Sequence, residues 1–394
     1  MRKPIIFLLL ISLALWPVSL AGAAPPASAQ PERKIVVFDE TIVNEAAQEA
    51  LVGRFGTPLK SLPIINGWVV VLPPQATVGI ARISGVVRVD DDVRVSISRV
   101  GAAAKPEGKG KPKPPAPDQV LPWGVDRIDA DQAWATSTGT GVKVAIIDTG
   151  IDSTHSDLRA NLLGGVNTIN PKKSWNDDNG HGTHVAGIVA AEDNTFGVVG
   201  VSHSAGLYAV KVLDRNGSGW LSDVIEGLQW AKDNGAGVVN MSLGTSSNVQ
   251  SFHDAVIELY NAGIVQVAAA GNSGPGDGTV SYPAAYAEVI AVAATDSSDG
   301  QPYWSSRGPE VDLAAPGASI YSTYRGDTYA TLSGTSMAAP HVAGAVALLL
   351  QLKSGLTPDE VKADLQSTAE WLSGLTANQQ GAGLVDAEAL VTAP

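Results

Sequence analysis

The chain has 394 residues, 44% hydrophobic and 16% charged, enough apolar material for a sizeable core, which excludes a disordered tail or a mini-protein. Its formal net charge of -13 argues against a nucleic-acid binder, and Gly 42 with Pro 24 in no repeating period excludes a collagen-like chain. With Cys 0 there is neither a disulfide framework nor a thiol catalyst.

Met1-Arg2-Lys3 precedes an apolar run at 5–20, followed by small residues at Ala21-Gly22-Ala23 and Ala27-Ser28-Ala29. This pattern predicts a secretory signal peptide over 1–29, cut after Ala29 or Ala23, because the run is shorter than the roughly 20 apolar residues of a spanning helix. The expectation is a secreted, extracellular protein with no membrane anchor after that cut.

Residues 32–98 read as a small α/β unit: strand at 34–38, helix at 44–55, strand at 67–72, then Asp90-Asp91-Asp92 closing it before an alternating strand at 93–97. Residues 101–117 (GAAAKPEGKGKPKPPAP) predict an exposed, extended linker open to proteolysis. Residues 1–117 carry 14 Lys/Arg and 9 Asp/Glu, against 12 and 30 over 118–394, so a basic front and an acidic body are separate pieces. A solvated acidic surface accounts for the excess; attraction of divalent cations or of a basic partner is the sharper alternative.

From 118 onward, apolar runs at 142–147, 207–212, 238–241, 264–270 and 289–294 alternate with helical patterns at 182–191, 220–233 and 250–262. The expected fold class is α/β, a mainly parallel sheet with helices on both faces, and its chemistry belongs at the carboxyl ends of the strands.

Four such positions carry reactive groups. The first strand ends in Asp148-Thr149-Gly150; an Asp there is most often a turn or cap, and no second Asp-Thr-Gly exists to form an aspartic-protease dyad. His181-Gly182-Thr183-His184-Val185-Ala186-Gly187 opens a helix, with the spacing and neighbours of neither a zinc protease nor an obvious metal pair, so proton transfer by His181 competes with a capping role and His184 reads as structural. Gly334-Thr335-Ser336-Met337-Ala338 puts Ser336 at the start of a buried helix, where a plain N-cap is the bland reading and a nucleophile the functional one; Ala338 excludes the Gly-x-Ser-x-Gly elbow. Asn272, in the turn after 264–270, is either a turn former or an amide donor. Taken together they compose a serine nucleophile: His181 takes its proton, Asp148 orients the imidazole, Asn272 stabilises the oxyanion.

These segments, in the chain order Asp, His, Ser, resemble the subtilisin family of serine endopeptidases over 118–394. The resemblance implies that 30–100 is an inhibitory, chaperone-like propeptide, removed by self-cleavage between about Ser98 and Asp118. It implies a substrate cleft walled by Ser242-Leu243-Gly244 and Gly217-Ser218-Gly219, which pair with extended polypeptide substrates. The first specificity pocket would be lined by Ala268-Ala269-Ala270, Ser242-Leu243-Gly244 and the region of Ser281. Without a charge there, it should prefer uncharged, mostly apolar side chains; Ser281 would shorten it, and Ser273 also stands at a variable position. The resemblance further implies a tight Ca²⁺ site made by the carbonyls of Glu192, Phe196 and Val198 with side chains of Asn194, Asp157 and Gln119, and a weaker cation site near Ala284, Tyr286, Val289 and Asp312.

The expected activity is that of a self-processing serine endopeptidase acting as a monomer. A non-catalytic binding module is the alternative, and the presence of all four reactive residues speaks against it. A metal hydrolase built on His181 and His184 would survive Ser336→Ala.

Overall fold

The computed structural model describes residues 30–42, 44–97 and 117–394. The expected signal peptide, residues 98–100 of the expected propeptide and the expected linker except Pro117 lie outside the described residues.

Strands β1 (Glu32–Phe38), β2 (Thr57–Leu62), β3 (Gly67–Leu72) and β4 (Val86–Asp91) form an antiparallel sheet in the order β2-β3-β1-β4. Alternation decides what each face meets. Val36, Phe38, Trp68 and Val70 pack with Val52 and Ile80 of the helices Glu45–Val52 and Pro74–Ile80. Ile35, Val37 and Val69 join one apolar cluster with Leu221, Val224, Phe252 and Val256 of the body. The expectation missed β2, β4 and the Pro74–Ile80 helix. Pro58 hid β2, which tolerates it as an edge strand, and the acidic run does not close the unit but continues β4 as far as Asp91. A short strand β5 (Arg94–Ser96) follows.

The body holds a seven-stranded sheet. Its members are β6 (Lys143–Asp148), β7 (Leu162–Asn167), β8 (Gly206–Lys211), β10 (Val238–Met241), β11 (Val265–Ala269), β12 (Ile290–Thr295) and β13 (Leu313–Pro316), with β9 (Ser218–Trp220) standing outside it. The order is β13-β12-β11-β10-β6-β8-β7, every pair parallel. Glycines at 164 and 165 concealed β7 in the sequence, and β13 is too short to show a period. A hairpin of β14 (Ile320–Tyr324) and β15 (Thr328–Leu332) completes the strands.

Helices His181–Ala190 and Thr335–Leu352 cover one face of the sheet; helices Leu221–Asp233 and Gln250–Asn261 cover the other. The Thr335–Leu352 helix is long and apolar enough to cross a membrane, yet 83% of it is buried, so it serves as the central core helix. Strand order reverses between β6 and β10, the switch point where an open α/β sheet leaves a crevice at its carboxyl edge. Asp148 ends β6 at that point.

Candidate active site

Asp148 is fully buried, and its carboxylate receives Thr149 N at 2.7 Å. His181 Nδ1 lies 2.8 and 2.9 Å from its two oxygens. With the carboxylate as acceptor, Nδ1 carries the hydrogen, which makes Nε2 the basic nitrogen.

A second carboxylate fixes where the imidazole starts. Asp177, 5% exposed, accepts from Asn179 N, Gly180 N and Thr149 Oγ1 on one oxygen and from Thr183 N and Thr183 Oγ1 on the other. Thr149 Oγ1 in turn accepts Gly182 N at 2.9 Å, so the turn after β6 is bolted to the first turn of the His181 helix. Gly182 is required there because a Cβ would come within 2.2 Å of the Gly150 carbonyl oxygen. Burial pushes the Asp177 carboxyl up despite these bonds. His184, one turn on, donates its Nε2–H between the carbonyls of Ile320 and Ala330, 3.1 and 3.0 Å away. Burial holds it down to about 3, so it is a neutral strut under the β14–β15 hairpin, with its Nε2 unavailable to a metal.

The helix bearing Ser336 packs against the His181 helix. Ser336 is 2% exposed, and its hydroxyl donates to the Ser242 carbonyl at 3.2 Å. Asn272 Oδ1 accepts Thr335 N at 3.0 Å and Thr335 Oγ1 at 2.9 Å, which sets the sense of the amide: its NH₂ is the donor end. Thr335 Oγ1 also accepts Gly271 N at 3.1 Å. The arrangement can supply a hydroxyl, a carboxylate-held base, and donors from an amide and a helix amino end.

The expected cleft walls flank β5. β5 pairs antiparallel with β9, Val95 opposite Gly219 and Ser96 opposite Ser218, and Ser96 also bridges Gly244. Ile97 N donates to the Gly217 carbonyl at 3.0 Å. Beside the cleft, a shallow pocket is lined by Leu243, Ala269, Gly271, Ser281, Thr335 and Ser336. Ala268 and Ala270 are fully buried, and Ser273 is exposed.

Side chains of 32–97 grip the body around this cleft. The helices Leu221–Asp233 and Gln250–Asn261 are preceded by Trp220 and Val249, which have no side-chain oxygen to cap them. Asp92 accepts Ser222 N at 2.9 Å and Ser222 Oγ at 2.8 Å, and Asp90 accepts Ser251 N at 3.0 Å. Each carboxylate thus caps a helix amino end from outside. Lys60 pairs with Asp223 and Glu226, and Arg88 with Asp254, basic front to acidic body.

Between β6 and β7, facing the loop after the His181 helix, Asp157 is buried and has no ion-pair partner among the described residues. Burial pushes its carboxyl up to about 6. Asn194 Nδ2 donates to it at 2.7 Å, and Gln119 Oε1 accepts Asn194 N at 2.7 Å. The backbone bonds fastening this loop end on the carbonyls of Thr195 and Gly197, not on those of Glu192, Phe196 and Val198. An uncompensated carboxyl beside oxygen donors fits a hard divalent cation.

At the expected weaker cation site the structure places a lysine beside the acidic residue. Lys362 Nζ lies 2.8 Å from Asp312 Oδ1 and donates towards the Ala287 and Val289 carbonyls at 3.3 and 3.5 Å. Asp312 Oδ2 accepts Ala291 N at 2.9 Å. The Lys362 ammonium faces the Asp312 carboxylate, and the side chains of Ala284, Tyr286 and Val289 sit in the apolar cluster. Lys362 is far from this segment in sequence, so no local signal announced it. Thr335, Asp177 and the capping pair Asp90 and Asp92 were also missed as site residues; only the Asn-Asp-Asp-Asn-Gly run before His181, for Asp177, was a usable sign.

A family model described as the subtilase family, peptidase S8, matches residues 139–383. The chain is 48% identical to Subtilisin Savinase from Lederbergia lenta over 272 residues, 69% of this chain and 98% of that protein. It is equally similar, 48% over 274 residues, to Subtilisin DY from Bacillus licheniformis, with the same shares covered. It is 39% identical over 374 residues to a thermostable alkaline protease from Halalkalibacterium halodurans, 94% of this chain and 95% of that one.

Proposed function

This chain belongs to the subtilase family and is a serine endopeptidase acting on polypeptides, and we propose that Asp148, His181 and Ser336 are its catalytic triad, with Asn272 in the oxyanion hole. The observation that carries the assignment is the clamp of both Asp148 oxygens on His181 Nδ1 at 2.8 and 2.9 Å. His181 Nε2 takes the Ser336 proton as Oγ attacks the scissile carbonyl, and the Asp148 carboxylate stabilises the imidazolium. The hydroxyl rotates away from the Ser242 carbonyl to reach the imidazole, a tightening common on substrate binding. Asn272, its oxygen anchored by Thr335, donates to the tetrahedral oxyanion. The imidazolium returns the proton to the leaving amine, and water repeats the sequence on the acyl-enzyme.

Extended substrate pairs between Gly217-Ser218-Gly219 and Ser242-Leu243-Gly244, and an uncharged pocket favours uncharged, mostly apolar side chains. Residues 30–100 are an inhibitory propeptide: β5 lies in the cleft where substrate would lie, and the 94% span shared with the Halalkalibacterium halodurans protease supports counting this part as belonging to the zymogen. The signal peptide at 1–29 exports the chain, the linker at 101–117 joins the propeptide to the peptidase domain at 118–394, and the enzyme works outside the cell as a monomer. Asp157, Asn194, Gln119 and the carbonyls of Glu192, Phe196 and Val198 hold Ca²⁺, which would cross-link the loop to Gln119 and stabilise a chain without disulfides.

The test is peptide hydrolysis by wild type and Ser336→Ala, with mass analysis after a sulfonyl fluoride. Activity lost in the mutant and an adduct on Ser336 are expected; an adduct elsewhere, or an active folded mutant, would remove the nucleophile assignment.

A further inference from the structure

We propose that Trp220 forms a cation-binding subsite at the end of the substrate cleft, favouring arginine at the fifth substrate residue on the amino side of the cut bond. The inference deepens the reading above and rests on the cleft walls and the nucleophile assigned there.

Two guanidinium groups lie over the Trp220 ring, that of Arg33 at 4.6 Å and that of Arg94 at 4.7 Å from its centroid. They are held differently. Arg33 also donates to Asp92 at 2.7 Å and to Ser222 Oγ at 2.9 Å, whereas Arg94 is exposed and has no ion-pair partner among the described residues. The indole is what Arg94 meets, and it meets it from the strand that occupies the cleft. β5 and β9 set Arg94 directly opposite Trp220, and directly opposed residues project to the same face of a sheet. Pairing continues beyond them, with Leu221 N donating to the Val93 carbonyl at 2.9 Å, so a peptide that extends this far is still held by its backbone.

Trp220 belongs to the body, while Arg33 and Arg94 belong to the unit at 32–97. Once that unit has left, the ring is uncovered, and Asp223 and Glu226 lose the Lys60 ammonium that pairs with both. Asp223 is close by, its Oδ2 accepting Trp220 N at 3.3 Å. A substrate cation there meets the negative face of an indole, the best of the aromatic rings for this contact, beside carboxylates without their counter-charge. The 30 Asp/Glu against 12 Lys/Arg of 118–394 add to the attraction.

The register fixes which substrate residue this is. Ser96 N donates to the Gly244 carbonyl at 3.1 Å and Gly244 N to the Ser96 carbonyl at 3.0 Å, a closed antiparallel pair in which one step forward on one strand is one step back on the other. In a substrate bound in this register, the residue two places after the one facing Gly244 faces Ser242, whose carbonyl accepts the Ser336 hydroxyl at 3.2 Å. That residue supplies the carbonyl under attack. The residue facing Trp220 stands two places before the one facing Gly244, as Arg94 stands before Ser96, and is the fifth from the cut.

The experiment uses active enzyme purified after expression of the full chain, with internally quenched peptides of one sequence that carry Arg, Lys, Ala or Glu at the fifth position; mass analysis verifies the bond cut. The kcat/KM should be about two- to fivefold higher for Arg than for Ala, the size of a cation contact with an exposed ring, with Lys between them and Glu below Ala. In Trp220→Leu the Arg-to-Ala ratio should fall to about one, and Trp220→Tyr should keep part of it. A merely structural role for the indole would slow both peptides and leave the ratio intact, which overturns the proposal. An Arg preference that survives Trp220→Leu belongs to the carboxylates and overturns it too, as do equal rates for Arg and Ala in the wild type. A Trp220-dependent preference that peaks at another position overturns the register and the cleft reading with it, whereas cleavage that persists in folded Ser336→Ala overturns the nucleophile from which the count is made.

Discussion

The Ser242 hydroxyl donates to the Ser336 carbonyl at 2.8 Å. That carbonyl would ordinarily accept the N–H four residues on, but residue 340 is Pro340, which has none. The Ser242 side chain thus completes the first turn of the helix that carries Ser336, the proposed nucleophile, and Asn240 Nδ2 braces that hydroxyl at 3.0 Å.

Ser242→Ala should accordingly leave a buried carbonyl unsatisfied and cost about 1–3 kcal/mol. Thermal unfolding of the inactive Ser336→Ala background would read the loss without self-digestion. Pro340→Ala added to it should return part of the stability by supplying the missing N–H; strictly additive losses in that double-mutant cycle would show that the two groups do not share the carbonyl.

For the proposed triad, Asp148→Asn should lower kcat about 10⁴-fold by presenting the wrong tautomer of His181. Asn272→Ala should cost about 10²–10³ in kcat with little change in KM, a size adopted from the same deletion in a subtilisin. Thr335→Val, which removes one hold on the Asn272 amide, should fall in the same direction by less. Steady-state kinetics on a peptide anilide separates these outcomes, and an unchanged kcat in Asn272→Ala would withdraw its oxyanion role.

The Asp157 carboxyl, raised by burial from 3.8 to about 6, ties calcium to pH. A carboxyl raised in the folded state keeps its proton where the unfolded chain has lost it. Its contribution to calcium-free stability is therefore full below pH about 4 and is lost as pH rises through about 6. Calcium needs the ionised form, so its affinity should weaken as pH falls through about 6. Calorimetric titration of calcium on both sides of that window checks this, and an affinity unmoved by pH would exclude Asp157 as a ligand.

Lys362→Met should strip the half-buried Asp312 of its counter-charge and lower the melting temperature. Added sodium or calcium should then restore more stability to the variant than to the wild type, because an ion can take the vacated place among Asp312 and the Val289 carbonyl. Equal responses in differential scanning fluorimetry would mean that Lys362 does not stand in for a cation.

If the carboxylates of 32–97 cap the body's helices, Asp92→Ala should weaken inhibition of the mature enzyme by the isolated propeptide about tenfold, the equivalent of roughly 1.4 kcal/mol at a charged helix cap. Inhibition constants measured for Asp92→Ala and Asp90→Ala test it, and wild-type values for both would leave the caps without a role in binding.

Sequence by itself determined the α/β body and the centres of its main strands and helices, and it singled out the four residues proposed to react, because short motifs at strand ends and helix starts carry their own local geometry. The strand at 238–241 and the strand at 67–72 coincide with β10 and β3 to the residue. Tertiary structure alone decided what those residues touch. β7 and β13 exist because neighbouring strands pair with them, not because Gly164-Gly165 or Ala314-Ala315 favour extension. Thr335 on Asn272, Ser242 on Ser336, Asp92 on Ser222 and Lys362 on Asp312 join positions 50 to 130 residues apart. Hydrogen bonds and ion pairs at such separations depend on packing that brings distant chain segments to contact, and a linear pattern has no period in which to record them.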